Sequence, residues 1–322
     1  MLYPLTFQPI FKERVWGNRR LEQLYHKPLP PGAPIGESWE ISDRAGDTSV
    51  ITNGPLAGKD LHWLLGHHHH ELLGGTKADH GRFPLLVKIL DAQEKLSLQV
   101  HPPAQKATEL GGEPKTEMWY VADAAQRAEL YVGLKRGVTR ADFEMKIKDG
   151  TVADCFHRIT VKAGDAMFLP SGRVHALGAG LVIFEIQQNS DTTYRVFDWN
   201  RVGLDGKPRA LHVEKSLASI NFDDFEPPLA GGEFVERDGA KVRLLVEDQL
   251  FSVEVWKAEP GAIVPLSRGK LQIVALLSGN ASVREQATQV NLKPGQFCLI
   301  PASLQKTTLV VENGAEFLRV EA

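Results

Sequence analysis

From Met1 to about residue 100 the chain alternates short apolar runs with turn clusters such as Pro28-Leu29-Pro30-Pro31-Gly32, a pattern of short strands. One stretch departs from it. Leu61, Leu64 and Leu65 stand at helical spacing ahead of four consecutive histidines, and Gly74-Gly75 supplies a C-terminal stop, so a helix is predicted there. The run Phe83-Pro84-Leu85-Leu86-Val87-Lys88-Ile89-Leu90 is too short and too apolar for an exposed helix and reads as a buried strand. Residues 95–200 return to short strands separated by turns. A helix opens at Thr139, where Asp142 three residues on completes a capping arrangement. Another is predicted over residues 213–220, with Val213, Leu217 and Ile220 on one face. Residues 225–232, with Pro227-Pro228 and Gly231-Gly232, read as a linker or long connection, and strand alternation then continues to the end.

An internal repeat organises these strands. Ala163-Gly164-Asp165-Ala166-Met167-Phe168-Leu169-Pro170-Ser171 matches Pro294-Gly295-Gln296-Phe297-Cys298-Leu299-Ile300-Pro301-Ala302 in its glycine turn, its apolar strand and its closing proline. The order is similar to that of cupin jelly rolls. It predicts a mainly β chain of tandem cupin barrels with a few helices. Residues 1–225 would form a catalytic unit with N-terminal strands and inserted helices, and residues 233–322 a degenerate second barrel. Beyond the repeated proline the first copy reaches His175, where the second has Lys306, and no histidine follows His212. The second barrel is therefore expected to lack metal ligands.

Composition narrows the picture. The 322 residues allow two compact domains, and 43% apolar with 24% charged residues is ordinary for a soluble protein. A net charge of -3 gives no general attraction to nucleic acid or anionic lipid, so any phosphate affinity must be local. Cys155 and Cys298, far apart among apolar neighbours, read as buried thiols in a reducing compartment, not as a disulfide. The opening residues show no secretory pattern, and no run reaches the roughly 20 apolar residues of a membrane span. A cytoplasmic protein with no nucleic-acid or membrane partner is expected; nothing argues for a protein partner.

Candidate chemistry lies in the first barrel. Gln99 and His101 stand two apart on a strand, and side chains at that spacing share a face. Glu117 heads the apolar strand run Met118-Trp119-Tyr120, and His175 follows the repeated proline. Two imidazoles, a carboxylate and an amide oxygen suit zinc with an open position for substrate. The same set would hold iron or manganese, so ligand type alone does not select the metal. The histidine run at residues 67–70 is more conspicuous, yet on a helix it offers only adventitious metal contacts.

Several blocks, in order, resemble the type I mannose-6-phosphate isomerases in their short bacterial form. They are Trp16-Gly17, Gly36-Glu37-Ser38-Trp39-Glu40, Leu98-Gln99-Val100-His101-Pro102, Lys115-Thr116-Glu117-Met118-Trp119, Pro170-Ser171-Gly172-Arg173-Val174-His175 and Gln187-Gln188-Asn189-Ser190-Asp191-Thr192-Thr193-Tyr194-Arg195-Val196. The resemblance covers most of residues 1–215, whereas the C-terminal third shares only the barrel pattern. It implies interconversion of mannose 6-phosphate and fructose 6-phosphate through an enediol, with one zinc ion per chain on Gln99, His101, Glu117 and His175. It also implies a catalytic Arg195, a substrate-site Lys115 and a phosphate-contacting Ser97; Lys115, Glu117 and a zinc-bound water are the candidates for the base. Two other readings of a metal-holding cupin are a non-catalytic sugar-phosphate sensor and an iron-dependent oxygenase.

Overall fold

The computed structural model describes residues 1–266 and 269–322. The chain is mainly β, as its alternation predicts. Its first part holds two large antiparallel sheets and a two-stranded ribbon of Asp43–Arg44 and Asp47–Thr48. One runs in the order Ile10–Asn18, Ile35–Ile41, Leu85–Ala92, Leu181–Gln188, Glu117–Ala124 and Ala166–Leu169. The other runs Tyr194–Phe197, Leu98–Val100, His175–Leu177, Glu129–Leu134 and Phe156–Thr160. Residues 235–321 form a separate eight-stranded antiparallel sheet around its own apolar cluster, which includes Trp256, Val274, Leu276 and Phe317.

The first sheet is buried on both faces, and period-two alternation explains how. Leu85, Val87 and Ile89 pack into a core shared with Leu271, Ile273, Phe297 and Leu299 of the C-terminal part, while Leu90 and Ala92 turn inward. The neighbouring strands divide the same way: Phe184 and Tyr120 face the C-terminal sheet, Ile183 and Trp119 the interior. Phe184 stacks on Phe297 with ring centroids 5.5 Å apart, and Leu5 bridges Leu299. This explains the unbroken apolar run at residues 83–90, whose strand spans Leu85–Ala92. A strand wet on one face would alternate; this one has no wet face.

The repeat is a repeat of conformation. Gly164 and Gly295 both adopt positive φ, 91° and 77°. Each donates its amide to a neighbouring strand, to Val121 O and Leu276 O, at 2.8 Å in both cases. Asp165 and Gln296 each close the turn by accepting the amide of the residue three before, at 2.9 Å. Glycine is required because a Cβ would strain this left-handed backbone.

The helices Arg140–Lys148 and Val213–Ser219 cover the second sheet, whereas Leu61–Leu73 packs in the core shared with the C-terminal part. Arg140–Lys148 has the expected capping box between Thr139 and Asp142, and it buries Phe143 against Phe156 and Tyr131. The helix Leu61–Leu73 ends at Gly74, contains the histidine run and is kinked at His68. The helix Val213–Ser219 packs Leu217 and the following Ile220 on the core as expected, and it also buries Ser216 and Ser219. Residues 225–232 are not a free linker: Phe225 bridges Leu134 and Ala230 bridges Ala166, so the connection lies along the first part. Cys155 and Cys298 are buried and free. Among the described residues no helix is long and apolar enough to cross a membrane.

Candidate active site

Strand alternation places the side chains that matter. Leu98 and Val100 pack beneath the helices, which turns Gln99 to the interior; Val174 and Ala176 do the same for His175. His175 and Arg195 are the register partners of Gln99 on its two sides, so the three form one row across the sheet. From the opposite sheet Glu117 enters on the inward face, next to Trp119. His101 lies just past its strand, where its carbonyl accepts the Gly172 amide at 2.9 Å.

Gln99, His101, Glu117 and His175 meet in one cluster, the last three buried. The metal-ligating atoms of His101, Glu117 and His175 lie within 4.8 Å of one another. His175 Nε2 is 3.2 Å from Glu117 Oε1, and His101 Nε2 is 3.6 Å from Glu117 Oε2. Gln99 Nε2 is 3.3 Å from His175 Nε2, so the amide must be turned over to offer an oxygen ligand there. Both imidazoles are oriented from behind: His101 Nδ1 donates to Thr192 O at 2.7 Å and His175 Nδ1 to Arg173 O at 2.9 Å. A carbonyl only accepts, so each Nδ1 carries the proton and each neutral ring turns a bare Nε2 inward.

The protonation states sharpen this. Burial, helped by Lys115, pushes His101 down to about 4 against the pull of Glu117. His175 is lowered too, again by burial. Burial would raise Glu117, yet Lys115 and then the imidazoles hold its carboxyl well below the usual range. Bare nitrogens therefore face an ionised carboxylate. His101 Nε2 and both Glu117 oxygens are buried without hydrogen-bond partners. Glu117 Oε2 faces the Lys115 ammonium at 2.9 Å, and the remaining bare acceptors form a donor set that could hold a divalent metal.

Two family models match the chain: the catalytic domain of type I phosphomannose isomerase over residues 5–146 and the cupin domain of mannose-6-phosphate isomerase over residues 241–319. A Bacillus subtilis protein named "Probable mannose-6-phosphate isomerase GmuF" is 37% identical over 323 residues, covering 99% of each chain. The chain belongs to the type I mannose-6-phosphate isomerase family. A crystal structure of mannose 6-phosphate isomerase from Bacillus subtilis superposes over 100% of both chains with a TM-score of 0.89 at 31% identity. A zinc-bound mannose 6-phosphate isomerase shares the fold over 99% of each chain, with a TM-score of 0.78 at 16% identity. The second barrel is thus a cupin domain, as the internal repeat suggests.

The cluster lies beside a cleft of about 560 Å³, which it meets at Gln99 and which is lined among others by Trp16, Ser97, Lys115 and Arg195. Ser97 is buried and donates to Gln99 Oε1 at 3.2 Å. Lys115 Nζ is 2.9 Å from Glu117 Oε2. Arg195 donates from Nη1 to Ala210 O, while its Nε is buried and unpartnered. The histidines at 67–70 do not line this cleft; His67 stacks on Trp63 and His68 pairs with Glu71. The sequence pattern does not single out four other charged residues of the cleft. Arg14 clasps Glu37 through two bonds, and Lys88 lies 3.2 Å from Glu185 Oε2. They come from strands distant in sequence, and the only signal for them is that Glu37 stands within the Gly36–Glu40 motif block.

Proposed function

We propose that the chain is a zinc-dependent aldose–ketose isomerase that interconverts mannose 6-phosphate and fructose 6-phosphate through an enediol, with one zinc ion per chain. Residues 1–225 would form the catalytic unit and residues 233–322 a structural cupin without metal ligands. The observation that carries this is the convergence of ligand atoms of His101, Glu117 and His175 within 4.8 Å of one another, buried beside a cleft lined by Lys115 and Arg195. Gln99, with its amide turned, would complete the set. Zinc held there would polarise the carbonyl and hydroxyl oxygens of the sugar. The zinc-bound structural relative lends support through its shared fold.

The remaining chemistry belongs to the protein's own groups. Isomerisation moves a proton between C1 and C2 and needs a base, an acid and a stabiliser of the oxyanion. Lys115 is disfavoured as the base. Burial opposes its charge, but Glu117 and then Glu185 outweigh burial and keep the amine protonated. Its role is to supply positive charge. Glu185 Oε2, with Lys88 at 3.2 Å but no hydrogen bond, is one cleft carboxylate that could take a proton, and Asp191 lines the same cleft. Arg195 suits the enediolate or the phosphate, being too basic to abstract a proton. Ser97 would contact the phosphate. The free buried cysteines fit a cytoplasmic setting.

The direct test follows fructose 6-phosphate formation from mannose 6-phosphate before chelation, after it, and after zinc restoration. Turnover lost and then recovered is expected. No turnover with zinc bound would sink the reading and favour a sugar-phosphate sensor. Arg195→Ala is expected to cut kcat at least ~100-fold while zinc stays bound; loss of the metal in that variant would make Arg195 a structural residue.

A further inference from the structure

A second cavity, of about 470 Å³, opens where the first part meets the cupin domain, and it shares no lining residue with the active-site cleft. The short helix Arg20–Tyr25 ends at His26, whose left-handed backbone, φ 51°, turns the chain so that the next residue, Lys27, enters the cavity wall. On the strand Ile35–Ile41 side chains alternate in direction, so Glu37 lines the cleft while Glu40, three residues on, lines this cavity from the other face. The cupin domain supplies the facing wall through Gln289 and Asn291, two apart on the strand Thr288–Leu292, and through Phe297.

Lys27 and Glu40 form a buried ion pair. They are 7% and 5% exposed, and Nζ lies 2.7 Å from Oε1. Ser38 Oγ donates to the same oxygen. An ammonium has three hydrogens to give, and among the described residues Lys27 gives one, to Glu40; Glu40 Oε2 accepts none. Burying two charges is repaid only when their remaining hydrogens and lone pairs are met. Both residues border the cavity, so the missing partners have room there.

The rest of the lining sets the chemistry of that partner. Beside the exposed His26 the walls hold one base, Lys27, and one acid, Glu40, already closed on each other, so neither sign of charge is favoured. A phosphate or a zwitterion would have to open that pair. The polar walls are neutral groups that both donate and accept. Gln289 Nε2 donates to Asn291 Oδ1 at 2.7 Å, which leaves an acceptor on Gln289 and donors on Asn291. Gln8 and Thr52 add to them from the first part, and Phe7, Tyr25 and Phe297 form the apolar walls. Tyr25 is held edge-on to Phe184 at 5.7 Å, and it lies so close to Gly295 that a Cβ there would come within 2.5 Å of its ring.

We propose that this cavity binds a neutral sugar, one ring lying against the aromatic walls and adjacent hydroxyls meeting Glu40 Oε2 and the Lys27 ammonium. Each hydroxyl both donates and accepts, and the C–H faces of a sugar ring are apolar, so one molecule satisfies both kinds of wall. The volume falls in the ordinary range of small-molecule sites. The site stands apart from the isomerase reading, since it uses none of the cleft's residues.

The test titrates D-glucose, D-mannose and cellobiose into the zinc-loaded protein, with and without excess mannose 6-phosphate, followed by saturation-transfer NMR and calorimetry. L-serine serves as a zwitterionic control. Saturable binding of at least one sugar at millimolar concentration is expected, undisturbed by mannose 6-phosphate, with none for L-serine. Glu40→Gln should weaken it about 10- to 100-fold. Asn291→Trp places a large ring from an exposed position into the mouth and should abolish binding at unchanged zinc content; it keeps the test decisive where Glu40→Gln does not fold. Absence of binding by every sugar would overturn the proposal. So would sugar binding that mannose 6-phosphate displaces, or that either folded variant retains at full strength. Binding of L-serine in place of the sugars, lost in the same variants, would overturn the sugar assignment and mark a zwitterion site.

Discussion

At His101 and His175 the decisive feature is a single proton. Each ring gives its Nδ1 hydrogen to a main-chain carbonyl, so each presents a lone pair beside Glu117. Residue types two apart on a strand pointed to Gln99 and His101, and the repeat pointed to His175. The tautomers were not readable, because Thr192 O and Arg173 O enter only through the fold. Removing one ring should be enough to empty the site: His101→Ala is expected to lose bound zinc, measured as metal per chain, and turnover with it. Retained turnover in metal-depleted His101→Ala would sink the metal role. Glu37 offers a test of pH dependence. Burial would raise its pKa, but Lys88 and Arg14 bring it down to about 2 from the ordinary 4.5. A carboxylate depressed on folding stabilises the protein fully above pH 4.5, and that stabilisation is lost as pH falls toward 2. Wild type should therefore lose on the order of 3 kcal/mol more across this window than Glu37→Gln, read from denaturant melts at each pH. Parallel curves would show that the ionised form of Glu37 is not favoured by folding.

Secondary structure followed local rules wherever local chemistry was sufficient. Thr139 and Asp142 satisfy each other's backbone amides, so that helix start could be read from the sequence. Thr139→Ala should destabilise the helix by about 1 kcal/mol, seen as faster amide exchange across residues 140–148; unchanged exchange there would show that packing of Phe143 alone holds it. The helix Val213–Ser219 shows the opposite case. Hydrophobic spacing selects Val213, Leu217 and Ile220, and Leu217 and Ile220 do pack on the core, yet Ser216 and Ser219 are the fully buried positions within the helix. Their hydroxyls each bond the carbonyl four residues back, at 2.8 Å, which removes the cost of burying them. A hydropathy pattern counts serine as polar and has no means of registering that.

Across the molecule, the first sheet works as a shared wall. Its inward face carries Lys88 and Glu185 to the cleft and Glu117 to the cluster beside it, and its outward face packs on the cupin domain through Phe184 and Phe297. The second domain is therefore needed as a backing layer even without ligands of its own. Phe297→Ala should cost about 3–5 kcal/mol by opening a cavity in that shared core. The loss should appear in the thermal unfolding of both parts, followed by tryptophan fluorescence and by zinc release. A melt in which zinc is held to the wild-type temperature would mean that the parts are independent. By itself the sequence determined the β character, the repeat, the capped helix, the candidate ligands and, by resemblance, the family. Those depend on residue type and short spacing, which the chain carries locally. Only the tertiary structure decided the charged row of Arg14, Glu37, Lys88 and Glu185, the burial of the connection at 225–232, and the seam at which Lys27 and Glu40 face the cupin domain. Each of these depends on which distant strands lie side by side, and that is set by packing two sheets against a third.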